Sequence, residues 1–183
     1  MKIKYLIYVL CFCALWGWAA QTARAAPSDE SDVRNVVNQV FSDLKAGNYD
    51  QLYDTLPDAV QKKIARDKFT NALTRSRDSY ELDRMEVGAV RVKGDLAVAD
   101  TTLYGRVKKP LNGEGKIVAQ QYLVREGGRW RVATGDNATI NRFLKANPTF
   151  AKQFPVRQPR IYFKDDKGKW IDLSVLARQR RGK

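Results

Sequence analysis

Four runs in which apolar and polar residues alternate occupy the middle of the chain, between residues 80 and 133. The alternation has a period of two, which is typical of β-strands that bury one face. Gly94-Asp95 and Gly127-Gly128 separate neighbouring runs, and such dipeptides accept the backbone conformation of a hairpin turn. The pattern therefore predicts an antiparallel sheet with strands at 80–93, 96–107, 116–125 and 129–133.

The residues before the sheet follow a helical period instead. Apolar residues from Val33 to Leu44 recur at the spacing of an amphipathic helix, and Gly47 is a suitable residue to end it. Asn48 and Asp67 are candidate N-caps, because their short side chains can accept hydrogen bonds from free backbone N–H groups. These signals predict a long first helix, a short second helix that ends before residue 57, and helices at 58–65 and 67–77.

The chain after the sheet combines a helix with a hairpin. Ile140 and Leu144 share one helical face, and Asp136 or Asn137 can cap that helix. The turn-forming residues 165–168 separate two apolar runs and predict a small separate hairpin. The two predicted strands of that hairpin are 160–163 and 169–173. Helices followed by an antiparallel sheet indicate an α+β fold, with the N-terminal helices packed on a curved sheet.

The first 25 residues have the three parts of a secretory signal peptide. Lys2 and Lys4 precede an uncharged apolar run at 5–20, and residues 23–25 form a small-x-small cleavage pattern. The apolar run is short against the ~20 residues that a membrane-spanning helix needs, although an uncleaved membrane anchor is the alternative. We therefore expect export to the periplasm or the exterior, with cleavage after Ala25.

Three segments with different roles follow from these patterns. We expect a signal peptide at 1–25, an α+β domain at 26–134, and a basic C-terminal extension with a short helix and a hairpin at 135–183. Cys11 and Cys13 lie in the segment expected to be removed, and the chain has no histidine. We therefore expect neither thiol chemistry nor a zinc site in the mature chain, and we expect no cofactor.

The C-terminal extension is the most basic part of a basic chain. The formal net charge is +13, and it falls to +10 without residues 1–25, which hold three cations and no acid. Cations next to aromatic residues predict contact with an anionic lipid or envelope polymer, while a solvated tail is the alternative. Export argues against nucleic acid as the partner. The residues assigned to this contact are Arg160, Lys164, Lys169, Trp170, Arg178, Arg180 and Arg181.

Two short motifs mark the second helix and the last strand of the central sheet. Gly-Asn-Tyr-Asp at 47–50 opens the helix, and Gly-Arg-Trp-Arg-Val at 128–132 ends the sheet. With the order of elements, these motifs resemble the nuclear transport factor 2-like superfamily, also called the cystatin-like cone, over residues 28–133. The resemblance implies a cone of helices and sheet, and a homodimer through the sheet stays open. Members include isomerase-like and cyclase-like enzymes, ligand-binding modules and secreted domains, so the fold leaves the activity open.

In the isomerase-like members, a carboxylate inside the cone acts as a base and a tyrosine helps to hold the oxyanion. Asp100 is the candidate for that base, because it lies mid-strand on the same face as Val98 and Tyr104, where carboxylates are rare. If that face is turned outward, Asp100 is simply solvated. Packing in the core or at its rim is the alternative role for the candidate ligand contacts, which are Tyr53, Tyr104, Tyr122 and Trp130.

The first hypothesis is an exported, non-catalytic domain that binds a small apolar ligand or a partner protein in the cell envelope. A small isomerase-like or cyclase-like enzyme with a carboxylate in the cone is one alternative. A membrane-anchored assembly subunit is the other, and it requires that the N-terminal segment is retained. Asp100→Asn separates the first two, because only an enzyme would lose turnover while it keeps its fold.

Overall fold

The computed structural model describes residues 29–108, 112–134 and 137–174. In this part of the chain, helices precede an antiparallel curved sheet and two short helices follow its fourth strand, which confirms the predicted α+β class. The predictions made for residues 1–25, for Asp136 and for the last three arginines lie outside the described residues.

The bounds of most elements lie within a few residues of the predicted ones, but α3 is shorter than the predicted helix at 58–65. None of the helices in the described part of the chain is long and apolar enough to span a membrane. The helices are α1 (Asp29–Ala46), α2 (Tyr49–Asp54), α3 (Asp58–Gln61), α4 (Arg66–Arg77), α5 (Asn137–Ala146) and α6 (Pro148–Gln153). The strands are β1 (Tyr80–Lys93), β2 (Leu96–Val107), β3 (Gly113–Glu126), β4 (Arg129–Val132), β5 (Arg160–Lys164) and β6 (Trp170–Asp172).

The helix ends confirm one of the sequence signals and correct two. α1 ends before Gly47, whose φ of 82° glycine adopts readily. Asn48 stands at the N-cap position of α2, but its side-chain amide donates to Asp43 Oδ1 at 3.2 Å, so the predicted side-chain cap is wrong. α4 begins at Arg66, so Asp67 lies inside the first turn and is not the cap. A carboxylate there still interacts favourably with the positive end of the helix.

β3 is the strand on which the whole sheet is assembled. All of β2 pairs with residues 113–124 of β3. β4 pairs with the C-terminal end of β3, and β5 pairs with residues 115–118 of β3. The prediction of a separate small hairpin is therefore wrong, because β5 and β6 continue the main sheet. The physical reason is that β3 begins at Gly113, before the predicted residue 116, and its first residues pair with β5.

The edge strand β1 contains two irregularities in its pairing with β2, and α1 covers both. Arg34 Nη1 and Nη2 donate to the carbonyls of Val87 (2.6 Å) and Gly88 (2.9 Å) at one of them. Lys45 Nζ donates to the carbonyl of Asp83 (2.6 Å) at the other. Backbone carbonyls that lack a ladder partner at a bulge are thus satisfied by basic side chains of the first helix.

One face of the sheet packs against α1, and we call it the inner face. Ala97, Ala99 and Leu123 are fully buried there against Val33 and Val37 of α1. The small alanines of β2 give α1 room to lie close to the strands, since packing density in a core is high.

The opposite, outer face carries a second core. Leu96 and Val98 are fully buried there, in contact with Ile140, Leu144 and Phe150 of α5 and α6. The helices of the C-terminal extension therefore complete the central sheet by covering part of its second face.

Candidate functional site

An apolar groove opens on the inner face where β2 ends and β3 begins. Its volume of about 440 Å³ lies within the range of roughly 300–1,000 Å³ that is usual for small-molecule sites. Leu44 contributes from α1, Leu82 from β1, Leu103 from β2 and Phe163 from β5. On the rim, Ile161 is 47% exposed, so this part of the inner face is not covered within the described residues.

Two glycines form the floor of the apolar groove. Gly105 and Gly115 pair across β2 and β3, with Leu82 beside the first and Phe163 beside the second. Because neither glycine has a side chain, the inner face is depressed between the two larger residues. A Cβ atom at Gly115 would lie 3.6 Å from Val107 Cγ2, which is an ordinary contact. The groove at Gly115 is therefore space that a side chain could occupy.

A smaller pocket of about 300 Å³ adjoins the apolar groove, and the lining residues that the two share are Leu44, Tyr80, Glu81 and Leu82. It lies where the C-terminal ends of α1 and α4 approach the start of β1 and the end of β2. We call it the basic pocket. Its charged lining residues are Lys45, Arg77, Lys108, Asp78 and Glu81.

A polar groove of about 690 Å³ lies on the outer face of the same strands. Arg84 stacks on the ring of Tyr104 with its Cζ 3.8 Å from the ring centroid. Lys164 Nζ lies 2.8 Å from Glu114 Oε2, and this hydrogen bond holds the pKa of the Glu114 carboxyl below its usual range. Trp170 also lines this groove. Arg84 Nη1 pairs with Asp83 Oδ2 at 2.9 Å, so this groove contains two ion pairs of its own lining residues.

Asp100 lies on the outer face, in the row that contains Leu96 and Val98. Its Oδ2 accepts a hydrogen bond from Arg91 Nη2 at 2.8 Å, and the guanidinium of Arg91 also stacks on Phe154. Asp100 therefore lies on the side away from α1, and it lines neither the apolar groove nor the basic pocket. A catalytic role for Asp100 stays a prediction, and its nearest charged partner in the structure is Arg91.

The four aromatic residues named from the sequence do not share one cavity. The hydroxyl of Tyr53 lies 2.9 Å from the carbonyl of Gln61, among the N-terminal helices. Tyr104 lines the outer polar groove, Tyr122 is buried in the outer core, and Trp130 is buried in the inner core beside α1. Burial raises the pKa of the Tyr122 phenol above its usual value. The structure gives three of these residues packing roles.

The three cations of the hairpin that the sequence analysis assigned to an anionic surface, and that the structure describes, differ in their contacts. Arg160 donates through Nε and Nη2 to Asp172 Oδ2, at 3.0 and 2.6 Å, which holds the pKa of that carboxyl below its usual range. Lys164 has its carboxylate partner in the outer groove, near Trp170. Lys169 lies in the exposed turn before β6. Contact with an anionic surface therefore stays a prediction for this hairpin.

The residues of the apolar groove were not among the sequence-derived site residues. Leu82, Leu103 and Phe163 occur in ordinary alternating patterns, which do not distinguish a groove wall from a core residue. The signal that could have indicated the site is the pair of glycines, Gly105 and Gly115, inside two neighbouring strands. Glycine inside a strand often marks a place where a ligand or another backbone approaches closely.

Comparisons with known proteins add little on function. A scan against protein-family models and a search of curated proteins found no match. The solved structures similar to this chain include a protein from Campylobacter jejuni described as an NTF2-like transpeptidase, with 12% identity and a TM-score of 0.40. That match covers 56% of this chain and 97% of the other. At this level of similarity, no activity transfers to this chain.

Proposed function

We propose that this protein is an exported, non-catalytic binding domain of the nuclear transport factor 2-like type, and that it takes up a small apolar ligand in the apolar groove. The observation that carries the proposal is the row Leu82, Gly105, Gly115 and Phe163 across the inner face, which leaves an open space between apolar walls. Transfer of an apolar ligand from water into such a groove is favourable in proportion to the apolar area that is buried.

The enzyme alternative receives less support from the same geometry. Glu81 is the only carboxylate among the described residues that line the apolar groove. In the strand register it lies opposite Arg106, so it belongs to the outer-face row of β1. Asp100 lies on the outer face and is paired with Arg91. A base in this fold would have to lie at the ligand, within hydrogen-bond reach of the proton that it removes.

The proposal is tested by filling the groove. In Gly115→Leu, the new Cβ has room and the rest of the side chain extends into the groove. The uncharged dye N-phenyl-1-naphthylamine, whose fluorescence rises in apolar surroundings, serves as the probe in a titration of purified protein. We expect wild-type protein to bind the dye and Gly115→Leu to weaken binding by about tenfold or more, which corresponds to about 1.4 kcal/mol.

The matched control is Val118→Leu, which enlarges a partly exposed residue three positions along the same strand. Val118 pairs with Thr102 on the outer face and does not line the groove. We expect its dye affinity to stay near that of the wild type. Equal affinities of Gly115→Leu and wild type, or no binding of the dye by wild-type protein, would contradict the proposal.

A further inference from the structure

We propose that the ligand of the apolar groove carries a carboxylate head group, which binds in the basic pocket while its apolar part lies in the groove. This inference rests on the proposed function, because it concerns the same ligand. The apolar groove and the basic pocket adjoin, so one elongated molecule can occupy both; the lining residues that they share are Leu44, Tyr80, Glu81 and Leu82. Apolar walls at one end and cations at the other match an amphipathic anion, such as a fatty acid.

Two cations of the basic pocket lack a carboxylate partner. Within the described residues, no acidic side chain lies within ion-pair distance of Arg77 or Lys108. The backbone N–H of Lys108 donates to the carbonyl of Ser79 at 2.9 Å, which holds this residue beside the turn that follows α4. The guanidinium of Arg77 lies against Gly47, where a Cβ atom would come within 2.7 Å of Nη1. The guanidinium of Arg77 is therefore placed by its contact with Gly47, while Lys108 is held at the pocket through its backbone and its side chain is exposed.

Lys45 is a third cation in the pocket, with one of its three donors already used. Its Nζ donates to the carbonyl of Asp83, and the remaining N–H donors can bind another acceptor. Lys45 and Arg77 are also in the last turns of α1 and α4, where a cation stabilises the helix by itself. Lys108 follows a strand and stabilises no helix end. Substitution of Lys108 therefore tests ligand binding without a change in helix stability.

The acids of the pocket restrict the charge of the head group. Asp78 and Glu81 line the basic pocket together with the three cations, so the excess of positive charge is small. A single negative charge on a carboxylate matches this excess better than the doubly charged head group of a phosphate monoester. A charge-assisted hydrogen bond to a carboxylate is short and directional, which favours this head group over a neutral one of similar size.

The test compares two ligands with the same twelve-carbon chain, dodecanoate and dodecan-1-ol, in competition with N-phenyl-1-naphthylamine at neutral pH. The alcohol reports on the apolar groove alone, and the ratio of the two affinities reports on the basic pocket. We expect the wild type to prefer dodecanoate by roughly tenfold, and added salt to reduce that preference. Lys108→Gln and Arg77→Gln should each lower the ratio and leave the affinity for dodecan-1-ol unchanged.

Lys93→Gln is the control for the loss of one positive charge, because Lys93 is exposed at the other end of β1. Its ratio of affinities should equal that of the wild type. If the alcohol binds but Lys108→Gln keeps the wild-type ratio, the head-group inference is overturned and the apolar groove stands. The same holds if wild-type protein binds the alcohol as tightly as dodecanoate. If neither compound displaces the dye and the dye itself does not bind, both proposals fail.

Discussion

Gly105 and Gly115 face each other across β2 and β3, but their surroundings differ. A Cβ atom at Gly105 would lie 2.5 Å from the backbone carbonyl oxygen of Glu81, whereas at Gly115 the nearest atom would be 3.5 Å away. At the first position, β1 approaches β2 so closely that only glycine fits. At the second, the missing side chain leaves the space of the apolar groove. The two glycines thus have different physical roles.

This difference predicts unequal effects of one substitution. We expect Gly105→Ala to lower the free energy of unfolding by about 1–3 kcal/mol, because the Glu81 carbonyl must move away from the new methyl group. Gly115→Ala should change it by no more than about 0.5 kcal/mol. Urea unfolding of both variants measures the difference. Equal losses in the two variants would show that the Glu81 carbonyl does not decide the cost.

A single residue, Tyr122, makes the stability of the protein depend on pH. Its hydroxyl is buried in the outer core and donates to Gln120 Oε1, and burial raises the pKa of the phenol above 10.0. A group whose pKa is raised by folding contributes stability that is present below its unfolded pKa and is lost as the pH rises through the folded value. Alkaline conditions should therefore destabilise the protein in part through Tyr122.

Tyr122→Phe isolates this contribution. Near pH 7 we expect the variant to be less stable than the wild type by about 0.5–1.5 kcal/mol, because the hydrogen bond to Gln120 is lost. Above about pH 10, the wild type should lose stability faster than the variant, so the difference between them narrows. Urea unfolding midpoints across this pH range measure the gap, and a gap that does not change with pH would contradict the prediction.

At the scale of elements, β1 depends on α1 in a way that its own sequence does not show. Its two irregular positions leave carbonyls that Arg34 and Lys45 satisfy from the helix. A helix that packs on the face of a sheet normally contributes apolar contacts. Here it also supplies hydrogen bonds to the edge strand, so the position of α1 and the shape of β1 are linked.

Arg34→Met tests this link, because methionine keeps most of the apolar stem and removes the donors. We expect a loss of about 1–2 kcal/mol in the free energy of unfolding, together with faster amide exchange in β1 beside Gly88. Arg129→Met is the control, since Arg129 is an exposed arginine in β4. Exchange in β1 that is equally fast in both variants would show that the bulge does not need Arg34.

At the scale of the whole molecule, the net charge of +10 that remains without residues 1–25 predicts weak attraction to anionic surfaces. Arg160 and Lys164 are engaged with Asp172 and Glu114, so we expect other cations to contribute more. Substitution of residues 178, 180 and 181 by glutamine should therefore weaken binding to vesicles rich in anionic lipid more than Arg160→Gln does. Binding by the wild type should fall as NaCl rises from about 0.05 to about 0.5 M, because exposed charges are screened. Binding that is insensitive to salt would contradict an electrostatic origin.

Export is a second prediction at this scale, and it depends on the sequence alone. Intact mass of the protein purified from its own host should correspond to a chain that begins at Ala26. A chain that begins at Met1 would contradict cleavage and would favour the membrane-anchored alternative. The same spectrum, recorded under native conditions, detects a retained small molecule.

The sequence by itself determined the elements of this protein and their order. Alternation with a period of two, and turn residues between the runs, located β1, β2, β3 and β4 within a few residues. The helical period did the same for α1. These patterns are local, because each depends on residues that are neighbours along the chain. Local patterns can be recognised in the sequence without knowledge of the fold.

Only the tertiary structure decided which face of the sheet meets which helices. A period of two shows that the two faces of a strand differ, but it does not show which face packs against α1. The pattern therefore could not place Asp100 on the outer face and Gly105 on the inner face. The joining of β5 to β3, and the shared boundary of the apolar groove and the basic pocket, depend on residues far apart in the chain. Contacts of this kind are set by packing of the whole molecule, and a single sequence carries no local signal for them.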